Sequence, residues 1–207
     1  MRDFLYLGSQ SASRQRLLKE IDIPFILLPH RSNEKVERAG RSFDEYVMAI
    51  AQHKMAELQL PEPSHVEQST IFVLTADTLV IEPTNQTILG KPKDRTDAHR
   101  MMKLLEENEI QVTTGCCLHK LHKTPTNWVI DQEKLWASSA TLMFCVAQDE
   151  IDFFIEKEPI SLVAAGATII DGFGQRYLKY LNGSHSAVIG LPLYELTQAL
   201  KELNFVF

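Results

Sequence analysis

The most apolar strand that the sequence predicts is Ile71-Phe72-Val73-Leu74-Thr75-Ala76-Asp77-Thr78-Leu79-Val80-Ile81. Its β-branched, leucine and aromatic residues are those that favour a buried extended strand. Turn-forming residues around Thr84-Asn85-Gln86 come directly after it, which predicts a hairpin at that point. We therefore expect this strand to lie in the core of the fold, with a single polar interruption at Asp77.

Helix and strand patterns alternate on both sides of this strand. Ser42 and Glu45 have the spacing of a capping box, which predicts a helix over 43–58. Antiparallel hairpins mixed with crossover helices imply an α/β fold with a mixed β-sheet flanked by helices. The other expected elements are helices near 11–21, 96–107, 149–156 and up to about 203, and strands near 4–7, 24–28, 111–118 and 135–146, with a further strand before the Asn182-Gly183 turn.

Composition limits the classes of function. A chain of 207 residues with 44% hydrophobic and 23% charged residues can form one large globular domain, or two lobes that share a sheet. A net charge of −6 argues against binding to a polynucleotide, which requires a broad basic surface. A small anionic substrate remains compatible, because a few cations focused in a cleft are enough to bind it.

The sequence also predicts a compartment. No apolar run approaches the roughly 18 to 20 residues that span a bilayer, and the N-terminal segment becomes polar too early for a signal peptide. Three cysteines, Cys116, Cys117 and Cys145, cannot all pair, so they are expected to be reduced and mostly buried thiols. We therefore expect a cytoplasmic protein without a membrane segment.

The segment Gly8-Ser9-Gln10-Ser11-Ala12-Ser13-Arg14 lies where a strand turns into a helix. Helix N-termini present unpaired N–H groups that suit phosphate oxygens. A cation at Arg14 or Arg16 opposes the helix dipole, and a bound anion would compensate for it. The alternative is that Ser9 or Ser11 only caps the helix and that both arginines are solvated.

Asp77 and Lys54 are charged residues at positions where the sequence pattern would lead us to expect an apolar residue. A buried carboxylate at Asp77 needs a donor, a cation or a metal, and in a cleft it can act as a general base or hold Mg²⁺. The alternative is a carboxylate that ends the strand and accepts backbone hydrogen bonds. Lys54 shares a helix face with Val47 and Ile50, so it must extend to solvent or reach an anion.

Two further charged residues are candidates on weaker grounds. Lys91, in Gly90-Lys91-Pro92, lies in a stiffened loop after the hairpin. Glu34 lies in a polar loop and is a possible metal ligand, although such residues are more often surface acids. His119 and His122 have no partners spaced for zinc, and His185 lacks a nucleophile elbow, so these histidines are interpreted as structural. No P-loop or dinucleotide-binding glycine motif is present.

Short segments along nearly the whole chain form an ordered set. They are Leu7-Gly8-Ser9-Gln10-Ser11-Ala12-Ser13-Arg14, Ala51-Gln52-His53-Lys54-Met55-Ala56, Ala76-Asp77-Thr78, Gly90-Lys91-Pro92, Thr113-Thr114-Gly115, Ala165-Gly166-Ala167 and Val188-Ile189-Gly190-Leu191-Pro192. The set resembles the Maf family of septum-formation-type nucleotide pyrophosphatases in both order and spacing. No single segment is specific, whereas the ordered set is.

The resemblance implies a fold, a reaction and a set of roles. The fold would be Maf/ITPase-like, an elongated mixed sheet in a single domain over 1–207, with a cleft between two lobes, usually as a homodimer. Water would attack the α-phosphorus of a nucleoside triphosphate, with a divalent cation (Mg²⁺ or Mn²⁺), releasing the monophosphate and pyrophosphate. By this analogy Asp77 is the proton acceptor, Glu34 and Asp77 hold the metal, and the substrate is bound by Ser9, Ser13, Arg14, Lys54, Thr78, Lys91 and Asp171.

This sequence departs from the family pattern on the side of the base. Ser13 replaces the first arginine of a pair, and Asp171 replaces a glutamine of the dTTP/UTP-cleaving branch, whereas Thr78 keeps that branch's pattern. The 7-methyl-GTP-cleaving branch has a glutamate at the position of Asp171. A carboxylate accepts hydrogen bonds from a guanine edge but repels the carbonyls of uracil or thymine. Ala164 and Asn33 also differ from the pattern. The choice of base therefore stays open.

Three functions compete at this point. The first is a divalent-metal nucleoside triphosphate pyrophosphatase that acts on nucleotides, including modified ones. The second is a catalytically weak nucleotide-binding regulator of cell division, for which the altered base-side residues would be the sign. The third is a serine esterase that uses Ser186 and His185. Retention of Asp77 and Lys91 favours the first.

Overall fold

The computed structural model describes residues 2–29, 36–82, 84, 86–106 and 108–207. The predicted alternation of strands and helices is present within these ranges. The elements are β1 (Leu5–Leu7), α1 (Ala12–Glu20), β2 (Phe25–Leu27), α2 (Phe43–Ala56), β3 (Thr70–Glu82), β4 (Thr87–Leu89), α3 (Arg95–Leu105), β5 (Glu109–Lys123), β6 (Trp128–Phe144), α4 (Ile151–Lys157), β7 (Leu178–Gly183), α5 (His185–Ile189) and α6 (Leu193–Glu202), with short 3₁₀ turns between several of them.

The strands form one mixed sheet in the order β2-β1-β3-β5-β6-β7, with β4 paired to β3. β1 is parallel to both β2 and β3, so that Leu5 lies opposite Phe25 on one side and Phe72 on the other. β4 is antiparallel to β3, and β7 is antiparallel to β6. The α/β class, the mixed sheet with flanking helices and the hairpin after the apolar strand are thus confirmed.

Two compact units account for the chain. Unit 1 comprises Met1–Asp77, Thr114–Ser138 and Gly190–Phe207, and unit 2 comprises Thr78–Thr113 and Ser139–Ile189. The strands β3, β5 and β6 run from one unit into the other. The prediction of a single domain with two lobes and a cleft between them stays a prediction.

The core of unit 1 forms where α2 packs on the strands. Ala51 and Met55 on α2 join Tyr6, Val73 and Cys117 in one buried cluster. The helix begins at the predicted capping box, in which Ser42 accepts from the Glu45 N–H while the Glu45 carboxylate accepts from the Ser42 N–H. This cap fixes where α2 starts, and hence which of its faces meets the sheet.

The core of unit 2 is apolar and aromatic. Phe144, Phe154 and Tyr177 make edge-to-face contacts, with ring centroids 5.5 to 6.2 Å apart. Such pairs stabilise a core by about 0.5–1.5 kcal/mol each beyond the area that they bury. Met101 and Leu105 from α3 extend this core, as the helical spacing predicts.

Element boundaries differ from the predicted ones mainly in the two long strands. β5 extends beyond 111–118 at both ends, whereas β6 begins seven residues before 135 and ends two residues before 146. The added residues of β6 are mostly exposed, so no apolar pattern marks them. Thr124 and Asn127 close the turn between the two strands through one backbone hydrogen bond and two that involve the Thr124 hydroxyl. The helix α4 begins later than predicted, after a 3₁₀ turn over Gln148–Glu150. The helices α1, α2 and α3 match the predicted ends within two residues, whereas α5 was not predicted as a helix.

The expectation about the cysteines has a structural counterpart. Cys116 and Cys117 are buried and Cys145 is half-buried, and all three are free thiols, as predicted. In the part of the chain that the structure describes, helices are too short or too polar to cross a bilayer.

Candidate active site

The loop from β1 into α1 is held by its own serines. Ser11 is the N-cap of α1, and its side chain accepts a hydrogen bond from the Arg14 N–H. The Ser11 N–H in turn donates to the Ser9 hydroxyl at 3.3 Å. The capping role is therefore present, and it leaves the first turn of α1 with N–H groups of the kind that bind anions.

Arg14 is buried inside this loop, with only 8% of its surface exposed. Its Nε donates to the Gly190 carbonyl at 2.7 Å, and its Nη1 donates to the Ser9 hydroxyl at 2.9 Å. Arg16, by contrast, is exposed and pairs with Glu20 one turn later. The alternative of two solvated arginines is thus correct for Arg16 and wrong for Arg14.

Lys54 and Asp77 form a buried ion pair. Lys54 Nζ lies 2.6 Å from Asp77 Oδ1, and the side chains are 7% and 12% exposed. The polar interruption in β3 and the lysine on the apolar face of α2 therefore satisfy each other. Taking two charges out of water is costly, and close pairing with good geometry is needed to offset that cost.

The position of Lys54 depends on close contact between α2 and two strands. Thr75 donates its hydroxyl hydrogen bond to the Ala51 carbonyl at 2.7 Å. At Gly115, a Cβ would lie 2.6 Å from the backbone carbon of Val47, so a side chain there would push the helix away. Gly115, the last residue of the Thr-Thr-Gly segment identified in the sequence, therefore lies directly against α2.

Cys116 lies close to the charge of Arg14. Burial raises the pKa of the Cys116 thiol far above its ordinary value, and the positive charge of Arg14 opposes part of that shift. The thiol therefore stays protonated near neutral pH. This makes Cys116 a packing residue beside the arginine, and not a nucleophile.

Lys91 lies in a loop of unit 2 that is fixed by a second predicted motif. The Gly90 carbonyl accepts a hydrogen bond from the Gly166 N–H at 2.9 Å. Gly166 has φ +63°, a conformation that glycine adopts without the penalty of a side chain. The Lys91 side chain is exposed, so the loop holds its backbone while the ammonium faces solvent.

The other two candidates of unit 2, Asp171 and Thr78, are half-buried. Asp171 is a quarter exposed, and its Oδ1 lies 3.4 Å from Nε2 of His185. Thr78, next to Asp77 in β3, is half-buried. Because strand side chains alternate, Thr78 and Asp77 point to opposite faces of the sheet.

The structure brings four of the predicted site residues together as two pairs. Within unit 1 it brings together Ser9 with Arg14, and Lys54 with Asp77. Ser13, half-buried on α1, follows the same loop. Glu34 lies outside the described residues.

Sequence reasoning missed three contacts. It did not foresee the Gly190 carbonyl as an acceptor for Arg14, or His185 beside Asp171. It also interpreted His119 as having no partner for zinc, whereas Cys117 and Glu133 both lie beside it. Cys117 and His119 are two apart on a strand, so strand alternation could have indicated their shared face. Glu133 comes from the neighbouring strand, for which the sequence carries no local signal.

Known proteins resemble the chain at two levels. A structure of a HAM1 protein from Coxiella burnetii aligns over 97% of this chain and 99% of its own, with 17% identity and a TM-score of 0.38. The dTTP/UTP pyrophosphatase of Acholeplasma laidlawii is 34% identical over 204 residues, which cover 98% of this chain and 97% of that protein. That of Colwellia psychrerythraea is also 34% identical, covering 98% and 89%, and that of Bacillus velezensis is 32% identical, covering 97% and 96%.

The family model described as "Maf-like protein" matches residues 4–203, which include every motif identified above. Together with relatives of this identity and coverage, the match shows that the chain belongs to the Maf family.

Proposed function

We propose that this protein is a nucleoside triphosphate pyrophosphatase, which hydrolyses its substrate to the monophosphate and pyrophosphate. The observation that carries the proposal is the buried Lys54–Asp77 pair, with an N–O distance of 2.6 Å. Burying a charged pair costs desolvation free energy, and such pairs are often found at functional sites. The names of the relatives, all dTTP/UTP pyrophosphatases, support the same reaction class.

In the proposed reaction, Asp77 accepts the proton of the attacking water. The water oxygen forms a bond to the α-phosphorus, and the bond from that phosphorus to the bridging oxygen breaks. Negative charge then grows on the departing pyrophosphate. Arg14 and Lys54 supply cations for that charge, Lys91 supplies a third from its fixed loop, and Ser9 and the first N–H groups of α1 supply hydrogen bonds.

The ion pair also suggests how the substrate prepares the base. A triphosphate competes with Asp77 for the Lys54 ammonium, because it carries more negative charge than one carboxylate. Transfer of Lys54 toward the phosphates would leave the Asp77 carboxylate with a stronger demand for a new proton or cation. Substrate binding and activation of the base are therefore linked in this proposal.

A divalent cation fits the oxygen donors at this position. Mg²⁺ is commonly held by one or two carboxylates together with substrate phosphates, and Asp77 provides such a carboxylate. Asp77 and Glu34 are the residues proposed to hold it, and Mg²⁺ or Mn²⁺ the ions. When bound, the cation would polarise the phosphate oxygens.

The base is proposed to be read by Ser13, Thr78 and Asp171. Thr78 and the names of the relatives favour dTTP or UTP. Asp171 favours a guanine or methylated guanine base, since its carboxylate is an acceptor and His185 beside it adds an imidazole. We propose a cytoplasmic homodimer that acts on a free nucleotide and binds neither polynucleotide nor membrane.

Release of pyrophosphate from a nucleotide panel tests the proposal. The panel contains dTTP, UTP, GTP and 7-methyl-GTP, each with Mg²⁺ and with Mn²⁺. We expect turnover of at least one nucleotide, and we expect Asp77→Asn to lower kcat by about 10²–10⁴-fold, the usual contribution of a general base. Asp131→Asn, an exposed carboxylate on β6, is the matched control and should keep full activity.

The two rival functions predict different results. A nucleotide-binding regulator would bind members of the panel, with turnover absent for the wild type and Asp77→Asn alike. A serine esterase would lose activity in Ser186→Ala and would be indifferent to metal chelation. Either pattern would contradict the proposed pyrophosphatase.

A further inference from the structure

We propose that Cys117, His119 and Glu133 form a second metal site, which binds a divalent ion of the zinc type. Nε2 of His119 lies 3.4 Å from Cys117 Sγ and 2.7 Å from Glu133 Oε2. All three ligand atoms lie within 4.8 Å of one another. One imidazole nitrogen thus stands between a thiol and a carboxylate, and the three can converge on a single ion.

The sheet places these groups together. Cys117 and His119 are two residues apart on β5, so both side chains point to the same face. Glu133 is on β6, the neighbour of β5 in the sheet. All three residues belong to unit 1. The arrangement is therefore built by regular strand geometry and not by a loop.

The environment suits a metal with one side open. Cys117 is fully buried in the cluster around Ala51 and Met55, and His119 is 9% exposed. The side chain of Glu133 is 39% exposed, which gives the ion a route from solvent. Zinc sites with three protein ligands commonly keep a fourth position for water.

The donor atoms distinguish this site from the one proposed for catalysis. Sulfur, imidazole nitrogen and carboxylate oxygen together select zinc and similar borderline ions. Mg²⁺ prefers oxygen ligands and phosphate, as at Asp77. The second site is thus expected to bind its ion without nucleotide. Its role would be to link β5 to β6 beside Ala51 and Met55 of α2.

Metal content tests this proposal with chain that carries no histidine tag. After incubation with Zn²⁺ and dialysis against metal-free buffer, we expect about one retained zinc per chain. Replacement by Co²⁺ should give a thiolate-to-cobalt charge-transfer band. Zinc should also raise the Tm, because an ion that binds only the folded state stabilises it.

Matched variants separate the cluster from other cysteines and histidines. Cys117→Ser and His119→Gln should lose the retained zinc, the cobalt band and the zinc-dependent rise in Tm. Cys145→Ser, a half-buried thiol, and His122→Gln, an exposed histidine of the same strand, should keep all three. Circular dichroism establishes that each variant is folded before its metal content is compared.

Two results would overturn the proposal. One is a folded wild type that retains no zinc and shows no cobalt band, which would leave His119 and Glu133 as a hydrogen-bonded pair only. The other is equal zinc binding by Cys117→Ser and His119→Gln. Asp77→Asn should retain zinc, so a failure of the proposed catalysis and a failure of this site give different patterns.

Discussion

The candidate site residues of the two units differ in burial. In unit 1, Arg14, Lys54 and Asp77 are buried and held by partners of fixed geometry. In unit 2, Glu82 is also buried, but the candidate Lys91 is exposed and the side chain of Asp171 is a quarter exposed. Buried charges are preorganised, because the fold has already removed their water and chosen their rotamers. Exposed charged side chains keep their bound water and can still change rotamer.

This difference predicts which variants unfold the protein and which only change its chemistry. A buried charge that loses its partner destabilises the fold, whereas an exposed charge is removed with little structural effect. Stability and activity should therefore be affected together at Lys54 and Asp77, and activity alone at Lys91.

The largest effect is expected for Lys54→Met. The substitution leaves the Asp77 carboxylate buried without its cation, so we expect the free energy of unfolding to fall by about 3–5 kcal/mol. Urea denaturation followed by circular dichroism measures the change. In the double variant Lys54→Met/Asp77→Asn, no buried charge is left unpaired, and most of the stability should return.

The control for this experiment is Lys103→Met, at an exposed position on α3 of unit 2. It should change stability by no more than about 0.5 kcal/mol. If the two single variants lost the same stability, the contrast between buried and exposed charges would be wrong.

For Lys91→Ala the expected effect is on the reaction alone. Loss of one charged contact to a phosphate corresponds to about 1.5–3 kcal/mol, or roughly 10- to 150-fold in kcat/KM. Stability should stay within about 0.5 kcal/mol, since the backbone of this loop is held by Gly166 and not by the lysine. Parallel measurements of pyrophosphate release and urea unfolding check both parts, and a matching fall in stability would contradict the interpretation.

Gly115→Ala tests the packing beneath the buried pair. The added methyl group meets the backbone of Val47 and Met48 at 2.6–2.7 Å, so α2 must shift. Overpacking of this kind costs about 1–3 kcal/mol. Activity should fall as well, because α2 carries Lys54. Gly40→Ala serves as a comparison because its added Cβ meets nothing within 4 Å, although its positive φ adds a strain of its own.

Sequence reasoning succeeded where one local rule decides the outcome. The capping box at Ser42 fixed the start of α2, and the apolar run around Asp77 identified the central strand. It also identified Asp77 and Lys54 as charged residues at apolar positions, although not that they would pair with each other, since 23 residues separate them. The contact between Glu133 and His119 depends on the register of β6 against β5, for which the sequence carries no local signal. Glu34 lies outside the described residues.

The smallest effect is expected for Asp171→Gln. An amide removes the charge and adds a donor for a pyrimidine carbonyl, so the preference for dTTP and UTP over 7-methyl-GTP should rise by roughly 3- to 10-fold. Relative kcat/KM values over the nucleotide panel measure it. An unchanged ranking would remove Asp171 from the base-reading role, while leaving the phosphate side of the proposal intact.

The contact between Arg14 and the Gly190 carbonyl has a consequence for biosynthesis. The two residues are 176 positions apart, so the arginine emerges from the ribosome long before its acceptor does. During synthesis the contact can form only after Gly190 has been added, and closing so long a loop costs entropy. A nascent or truncated chain that ends before Gly190 therefore lacks this acceptor for the guanidinium, and the proposed phosphate site would be complete only near the end of synthesis.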